Sequence, residues 1–452
     1  MRPIPTRTRI PILTDLLEFR QMVGDPLGFS KDMVARYGDV CYIPVPGVKN
    51  YFIHDPEIIK EVLATQSGKF CKSRMYRALK RFLGEGLFTS EGDFHREQRR
   101  MINPAFHKQR IQEYAETMVD CTLNETKTWI EGNVINISEA MVNITMQVIT
   151  RTMFGSSLEL DLIEKVSSII TRLMVIAGKI FQNPLYILLF EKDIRTPLIK
   201  EFYELKKEAF SIIDKFILDG RNNSHNERTD LLSMLLNAKD EDGGKGMSDD
   251  QIRDEVMTIF LAGHETTSTA LSWVWYLLGT HPDIGEQFYK EIQETIGHRK
   301  PEYNDYQNLV TTRNIIKETL RLYPPAWTFA REAKEDVTIN EYFFPKGSLL
   351  CTLTYLVHRD AKYFKNPDEF RPDRWQGDET ANLPKYAWFP FGGGNRMCIG
   401  EGFAWMEATM ILAIIASKFR LELKKGFTTT MNPGFTLRPK DNIQMVVSKV
   451  YN

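Results

Sequence analysis

The stretch FPFGGGNRMCIG, residues 389–400, places one of the chain's five cysteines among four glycines and an arginine, just ahead of the apolar run AWMEATMILAIIASKF. That run predicts a helix beginning near Gly402. A helix N-terminus offers unpaired N–H groups and a positive dipole end, and both favour a thiolate at Cys398. Gly392, Gly393, Gly394, Gly400 and Gly402 strip side chains from the surroundings, so a flat, bulky partner can approach the backbone closely. Two readings follow. Cys398 is a buried structural cysteine on a glycine-rich turn, since cysteine is among the most buried residue types. Alternatively it is a thiolate with one open face, the chemistry of an axial haem ligand.

The bulk composition narrows the rest. Length alone, 452 residues, suggests about three domains, but large single-core enzymes also reach this size. Hydrophobic residues at 42% and charged residues at 26% describe an ordinary globular chain. A net charge of −1 leaves no basic bias for nucleic acid and no acidic tail. Eight histidines and five cysteines without CxxC or HxxxH spacing argue against structural zinc. The sparse, odd cysteine set argues against a secreted disulfide framework and for a reducing, cytoplasmic location. The N-terminal MRPIPTRTRIPILTDLLEFR is too interrupted by arginine to be a signal peptide or membrane anchor. VMTIFLAGHETTSTALSWVWYLLG, residues 256–279, is long enough to span a bilayer but carries His264 and Glu265 near its middle. An ionisable group there costs roughly 2.5–3.5 kcal/mol, so a buried helix with a polar centre is expected.

Helical periodicity dominates from about Asp93 to about Leu322, after an early β-flavoured stretch, VCYIPVPGVKNYFIH. SDDQ at 248–251 reads as a helix start with acidic residues in its first turn. The helix from Asp249 to Gly279 would be on the order of 45 Å long. From Val337 onward the pattern turns to short strands and proline-rich loops, and a strand pair is expected near FTLRPKDNIQMVV. The fold class is therefore mainly α with a small β lobe: one domain over 1–452, with β structure at about 35–70 and in parts of 326–375.

Phe391, Gly394, Arg396, Cys398 and Gly400 together match F-x-x-G-x-R-x-C-x-G, and on this string the chain resembles the cytochrome P-450 family. The resemblance implies that family's fold, with haem between a long oxygen-binding helix and the cysteine-ligand helix. It implies Cys398 as the iron ligand of a haem b, Arg396 on a propionate, and Phe391 beside the sulfur tuning the metal. Three further segments resemble the same family, in the right order. AGHETTS, residues 262–268, resembles its oxygen-binding motif: Ala262, Thr266, Thr269 and Ala270 share a face at helical spacing, and Ala262 and Gly263 leave room for a ligand. Glu265 and Thr266 form an acid–alcohol pair suited to delivering protons, and a mid-helix threonine can also bond a backbone carbonyl. KETLRLYPP carries Glu318 and Arg321, which the family reading joins to Arg374 of FRPDRW in a buried structural network. An exposed pair at this spacing would contribute only about 0.2–0.5 kcal/mol. FHREQRRMINPAF has His95 and Arg99 where the family often has tryptophan and arginine on haem propionates; histidine can still donate to a carboxylate. The bland alternative is a solvated basic helix face. Arg331 aligns with another propionate-binding arginine.

The activity so implied is a haem-thiolate monooxygenase that inserts one oxygen atom of O₂ into a lipophilic small molecule, fatty acid or terpenoid-like, by hydroxylation or epoxidation. Family topology lines the pocket with Leu87, Phe88, LMVIAGKIFQNPLYILLF (173–190), Ala326, Trp327, Phe329 and Phe435, each equally explicable as core. No flavin or iron–sulfur module is expected, so electrons would come from a separate ferredoxin or flavodoxin/reductase, docking on Arg96, Arg100 and Lys108. A monomer without a transmembrane anchor is expected. A peroxygenase or haem isomerase on the same fold is the alternative, and a haem-based gas sensor a further one. HRDAKYFKN resembles a kinase catalytic loop, but its asparagine falls one residue late and no DFG follows.

Overall fold

The computed structural model describes residues 4–5, 21–22, 24–45, 48–73, 75–155, 160–181, 186, 189–190, 192–222, 230–239 and 246–450. Most of the N-terminal segment read above, and parts of the 173–190 stretch and of the loops near 223–229 and 240–245, lie outside the described residues. The chain divides into two compact units, Met1–Met75 with Lys317–Cys398, and Tyr76–Ile316 with Ile399–Asn452.

The first unit is built on a five-stranded sheet in the order Val40–Val45, Val48–Ile53, Ser348–Thr352, Phe329–Ala333, Phe70–Lys72. Only the pairing of Val48–Ile53 with Ser348–Thr352 is parallel. The two strands expected in VCYIPVPGVKNYFIH are present and antiparallel, Val40 opposite Ile53. The later β structure begins with Phe329–Ala333, inside the expected 326–375 range but ahead of Val337, where the strand pattern becomes plain; Arg331 and Glu332 sit in mid-sheet between Leu350, Leu349, Lys72 and Cys71 and mask its alternation. The sheet packs Val40, Tyr51, Ile53 and Leu350 against Ile58, Ile59, Leu63, Tyr386 and Phe389.

The second unit is helical. Its centre is the helix Asp249–Thr280, 32 residues long. Ser248 caps it through a reciprocal box: the Ser248 hydroxyl accepts from Gln251 N–H at 3.2 Å and the Gln251 side chain accepts from Ser248 N–H at 2.8 Å. Asp249 and Asp250 complement the dipole in the first turn, as SDDQ predicts. Beyond that turn most residues are buried, including the polar Glu255, His264 and Glu265 as well as the apolar run. Among the described residues no helix is long and apolar enough to cross a bilayer. Ile137–Phe154 packs along it, stopped by Gly155 at φ 90°, and Glu401–Lys418 packs on Lys108–Thr126. The strand pair expected in residues 435–447 is rearranged. Leu437–Pro439 pairs with Met431–Pro433, whereas Gln444–Lys449 pairs with Phe419–Leu423 and Val134–Asn136.

Candidate functional site

The cysteine loop closes on itself through backbone bonds. Gly392 N–H donates to Phe389 O at 2.9 Å, Met397 N–H to Gly394 O at 3.1 Å, and Cys398 N–H to Phe391 O at 2.9 Å. Gly392 and Gly394 take φ of 73° and 62°, which side chains resist. Cys398 is exposed, whereas Cys41 and Cys121 are buried and burial pushes both thiols up to about 12. The structural-cysteine reading of the motif is thereby corrected: this sulfur is presented, not packed away. The reading of the glycines needs correction too. A Cβ on Gly394 would run into the Leu63 carbonyl, one on Gly393 into the Tyr386 ring, and one on Gly402 would lie 2.9 Å from Ile111 Cδ1. These three are glycine because the chain packs on itself there.

Behind the loop, Glu318, Arg321 and Arg374 form one fully buried ion network in the first unit. Glu318 accepts from Arg321 Nε and Nη2 at 2.9 and 2.8 Å, from Arg374 Nε at 2.8 Å, from Arg371 N–H at 3.0 Å and from Trp375 Nε1 at 3.0 Å. Arg321 Nη1 goes on to the His358 carbonyl at 3.0 Å, and His358 Nε2 accepts the Phe389 N–H at 2.9 Å. The network therefore reaches the first residue of the cysteine motif. Sequence reading missed His358, whose HRD context suggested only a false kinase motif. Its Nδ1 sits 3.4 Å from Leu320 O, the geometry of a donor, which leaves Nε2 as acceptor. Burial holds the imidazole neutral, its pKa down at about 3. The unfolded chain, near 6.5, then binds the proton that the fold refuses. Stability from His358 is complete above about pH 6.5 and is lost towards pH 3, by about 1.4 kcal/mol per pH unit. Urea unfolding at pH 7 and pH 5 should show His358→Phe less stable than the parent at pH 7, with the gap narrowing at pH 5.

The long helix opens at one place. From Glu255 to Trp275 every residue is buried except Ala262, Gly263 and Thr266, which share a face. Thr266 Oγ1 donates to the Ala262 carbonyl at 2.7 Å, the mid-helix threonine bond anticipated from sequence. Gly263 also serves packing, since a Cβ there would lie 3.1 Å from Ile149 Cδ1. Glu265 turns elsewhere. Its Oε1 accepts from Thr436 Oγ1 at 2.7 Å and from Arg438 Nη2 at 2.9 Å, and the Arg438 side chain is 42% exposed. Thr436 and Arg438 both lie in FTLRPKDNIQMVV, which the sequence marks only as a strand pair and not as part of the site. The neighbouring His264 ring is buried, its pKa lowered chiefly by that burial.

His95 and Arg99 lie one turn apart on Gly92–Ile102. His95 is buried and Arg99 half-buried, unlike the exposed Arg96 and Arg100, so this face is not a solvated basic stripe. In the first unit Arg331 and Arg396 are half-buried, and Arg331 Nη1 donates to Ala330 O at 2.9 Å. Of the expected pocket residues, Leu87, Phe88 and Phe435 come together in the second unit, with the Phe88 and Phe435 rings 6.3 Å apart. In the first unit Phe329 lies against Phe389 and beside Gly392, while Ala326 and Trp327 are half-buried. The chemistry of this donor set fits a haem: an exposed soft sulfur, guanidinium and imidazole groups for propionates, and a small-residue opening in a buried helix.

The comparisons agree with that chemistry. The family model described as Cytochrome P450 matches residues 3–447. The chain is 33% identical to cyclooctatin synthase of Streptomyces melanosporofaciens, over 94% of this chain and 90% of that protein. It is 30% identical to pentalenene oxygenase of Streptomyces avermitilis, over 93% and 90% respectively. The crystal structure of the cytochrome P450DA heme domain superposes with a TM-score of 0.88 at 25% identity, covering 100% of this chain and 98% of that one. A presented thiol, a helix that opens at AGHETT and a match over nearly the whole length have one explanation: the chain belongs to the cytochrome P450 monooxygenase family.

Proposed function

We propose that the protein hydroxylates or epoxidises a terpenoid-like hydrocarbon or alcohol, as a single haem b domain fed by a separate ferredoxin or flavodoxin/reductase. The observation that carries this reading is the opening of the long helix at Ala262, Gly263 and Thr266. Small side chains there leave space for dioxygen and substrate, and Thr266 adds a hydroxyl at that point. A bound haem supplies oxygen activation and transfer, while the chain supplies the ligand sulfur, the binding site and the protons.

The residues take these roles. Cys398 holds the iron, with Phe391 beside it and Gly394 and Gly400 shaping the loop. Arg396, Arg331, His95 and Arg99 neutralise propionates. Thr266 positions a proton donor at the open face, and Glu265, one residue before it and held by Thr436 and half-exposed Arg438, is the acid of the pair. Leu87, Phe88, Phe435, Ala326, Trp327 and Phe329 give an apolar wall. Terpenoids are favoured over fatty acids because the chain is similar to proteins named cyclooctat-9-en-7-ol 5-monooxygenase, 32% identical over 89% of this chain, and pentalenene oxygenase. The exposed Arg96, Arg100 and Lys108 offer a positive surface to an acidic electron donor, with Arg96 also paired to Asp93. The sparse, odd cysteine set supports a reducing, cytoplasmic location, and the chain is taken to work as a monomer.

Thr266→Ala tests the reading. Coupled product formation should fall on the order of 10²-fold, with reductant diverted to peroxide, because a positioned proton donor contributes at that scale. Product and peroxide are measured per reductant consumed. An enzyme driven by peroxide alone would be nearly indifferent to the change, and that result would overturn oxygen activation by this helix.

A further inference from the structure

We infer that Glu255 is a positioning residue for the pocket wall carrying Leu87 and Phe88, and so sets which bulky ligands that wall admits. The inference rests on the proposed haem pocket. Residues 84–90 join the helices Met75–Leu83 and Gly92–Ile102, and with glycine at 84 and 86 they would be slack on their own. They are instead strapped to the long helix. Glu85 N–H donates to Asp254 Oδ2 at 2.8 Å, and Leu87 N–H to Glu255 Oε2 at 2.9 Å. Gly84, at φ 76°, and Gly86 lie so close that a Cβ would enter the Asp254 carboxylate and the Thr258 hydroxyl. From the other side Gln98 Nε2 donates to Glu85 O at 2.8 Å, and Thr89 Oγ1 to Gly84 O at 2.6 Å. Immediately beyond the strap, the Phe88 ring meets Tyr76 at 5.5 Å and Phe435 at 6.3 Å. Where Leu87 N–H is held therefore decides where both wall side chains stand.

A carboxyl is a costly way to hold one N–H. Glu255 is fully buried, and among the described residues its Oε1 has no hydrogen-bond partner. Burial lifts its pKa to about 8, the bond from Leu87 lowers it, and the neighbouring Asp254 raises it further. Held neutral, it still accepts the Leu87 N–H. Packing alone would be served as well or better by leucine, since replacing a buried acid with an apolar side chain removes the desolvation cost. What leucine would lose is the register of the strap.

The test uses haem-loaded protein and two iron-binding probes, small imidazole and bulky 4-phenylimidazole, titrated by the shift of the haem absorption band. Glu255→Leu removes the acceptor without leaving a buried charge. Its affinity for imidazole should stay within about twofold, while that for 4-phenylimidazole should change by about fivefold to tenfold, the worth of one hydrogen bond. Glu255→Gln keeps an acceptor oxygen and should behave as the parent. Equal responses of parent and Glu255→Leu to both probes would overturn the inference alone. A parent protein whose spectrum ignores imidazole would overturn the haem reading, and this inference with it.

Discussion

Cys398→Ala protein, reduced with dithionite and exposed to carbon monoxide, is expected to show no strongly red-shifted Soret band, while the parent shows one. That band reports a thiolate opposite carbon monoxide, because the electron-rich sulfur is what distinguishes this ligation from histidine. The substitution should leave the fold intact. Cys398 is exposed, its N–H bond to Phe391 O belongs to the backbone, and the loop's φ values are set by Gly392 and Gly394. Unfolding free energy of the haem-free protein should therefore move by no more than about 0.5 kcal/mol, as for a surface change. Spectrum and stability together separate ligation from collapse. A parent without bound haem, or a variant that keeps the red-shifted band, would remove Cys398 from the iron. Cys41→Ala is the control: that thiol is buried on a sheet strand and its loss should leave the spectrum unchanged.

The features legible in the sequence are those set by local chemistry. Ser248 with Gln251, two acidic residues and an apolar run are a complete helix start, and the helix begins there. The alternating residues of VCYIPVPGVKNYFIH become two paired strands. The glycines around Cys398 could be read as special but not as to why, because Leu63, which excludes a Cβ from Gly394, is distant in sequence, and Tyr386, though close in sequence, meets Gly393 only through the fold of the loop. His358 was equally opaque, since its partner Phe389 lies 31 residues on. Glu265 shows the same limit from the other side. Its place in AGHETT is visible, but the Thr436 and Arg438 that orient it are 171 and 173 positions away, in a stretch whose local pattern announces strands and not a partner for Glu265.

Charge spacing is the sharpest case, and it yields the second large effect. Glu57 with Lys60 and Glu318 with Arg321 are both oppositely charged pairs three residues apart. The first is 61% and 47% exposed, and its loss should cost about 0.2–0.5 kcal/mol. The second is 0% exposed on both sides, and Glu318→Ala should cost about 3–5 kcal/mol. The asymmetry arises because removing the carboxylate leaves the Arg321 guanidinium without a counter-charge in a dry interior, Arg374 keeping only Glu379 at 2.6 Å, and deprives Trp375 Nε1 and Arg371 N–H of their acceptor. Trp375 thus adds a donor that a phenyl ring at this position would lack. Because domain stabilities run about 5–15 kcal/mol, this one change consumes a large fraction of the total. Urea unfolding of Glu318→Ala, Arg374→Ala and the double variant completes the measurement. The double variant should cost less than the sum of the singles, since both singles lose the same Glu318–Arg374 bond, which the sum counts twice. Additive costs, or a Glu318→Ala loss no larger than that of Glu57→Ala, would mean that the buried triad does not hold the segment behind the cysteine loop.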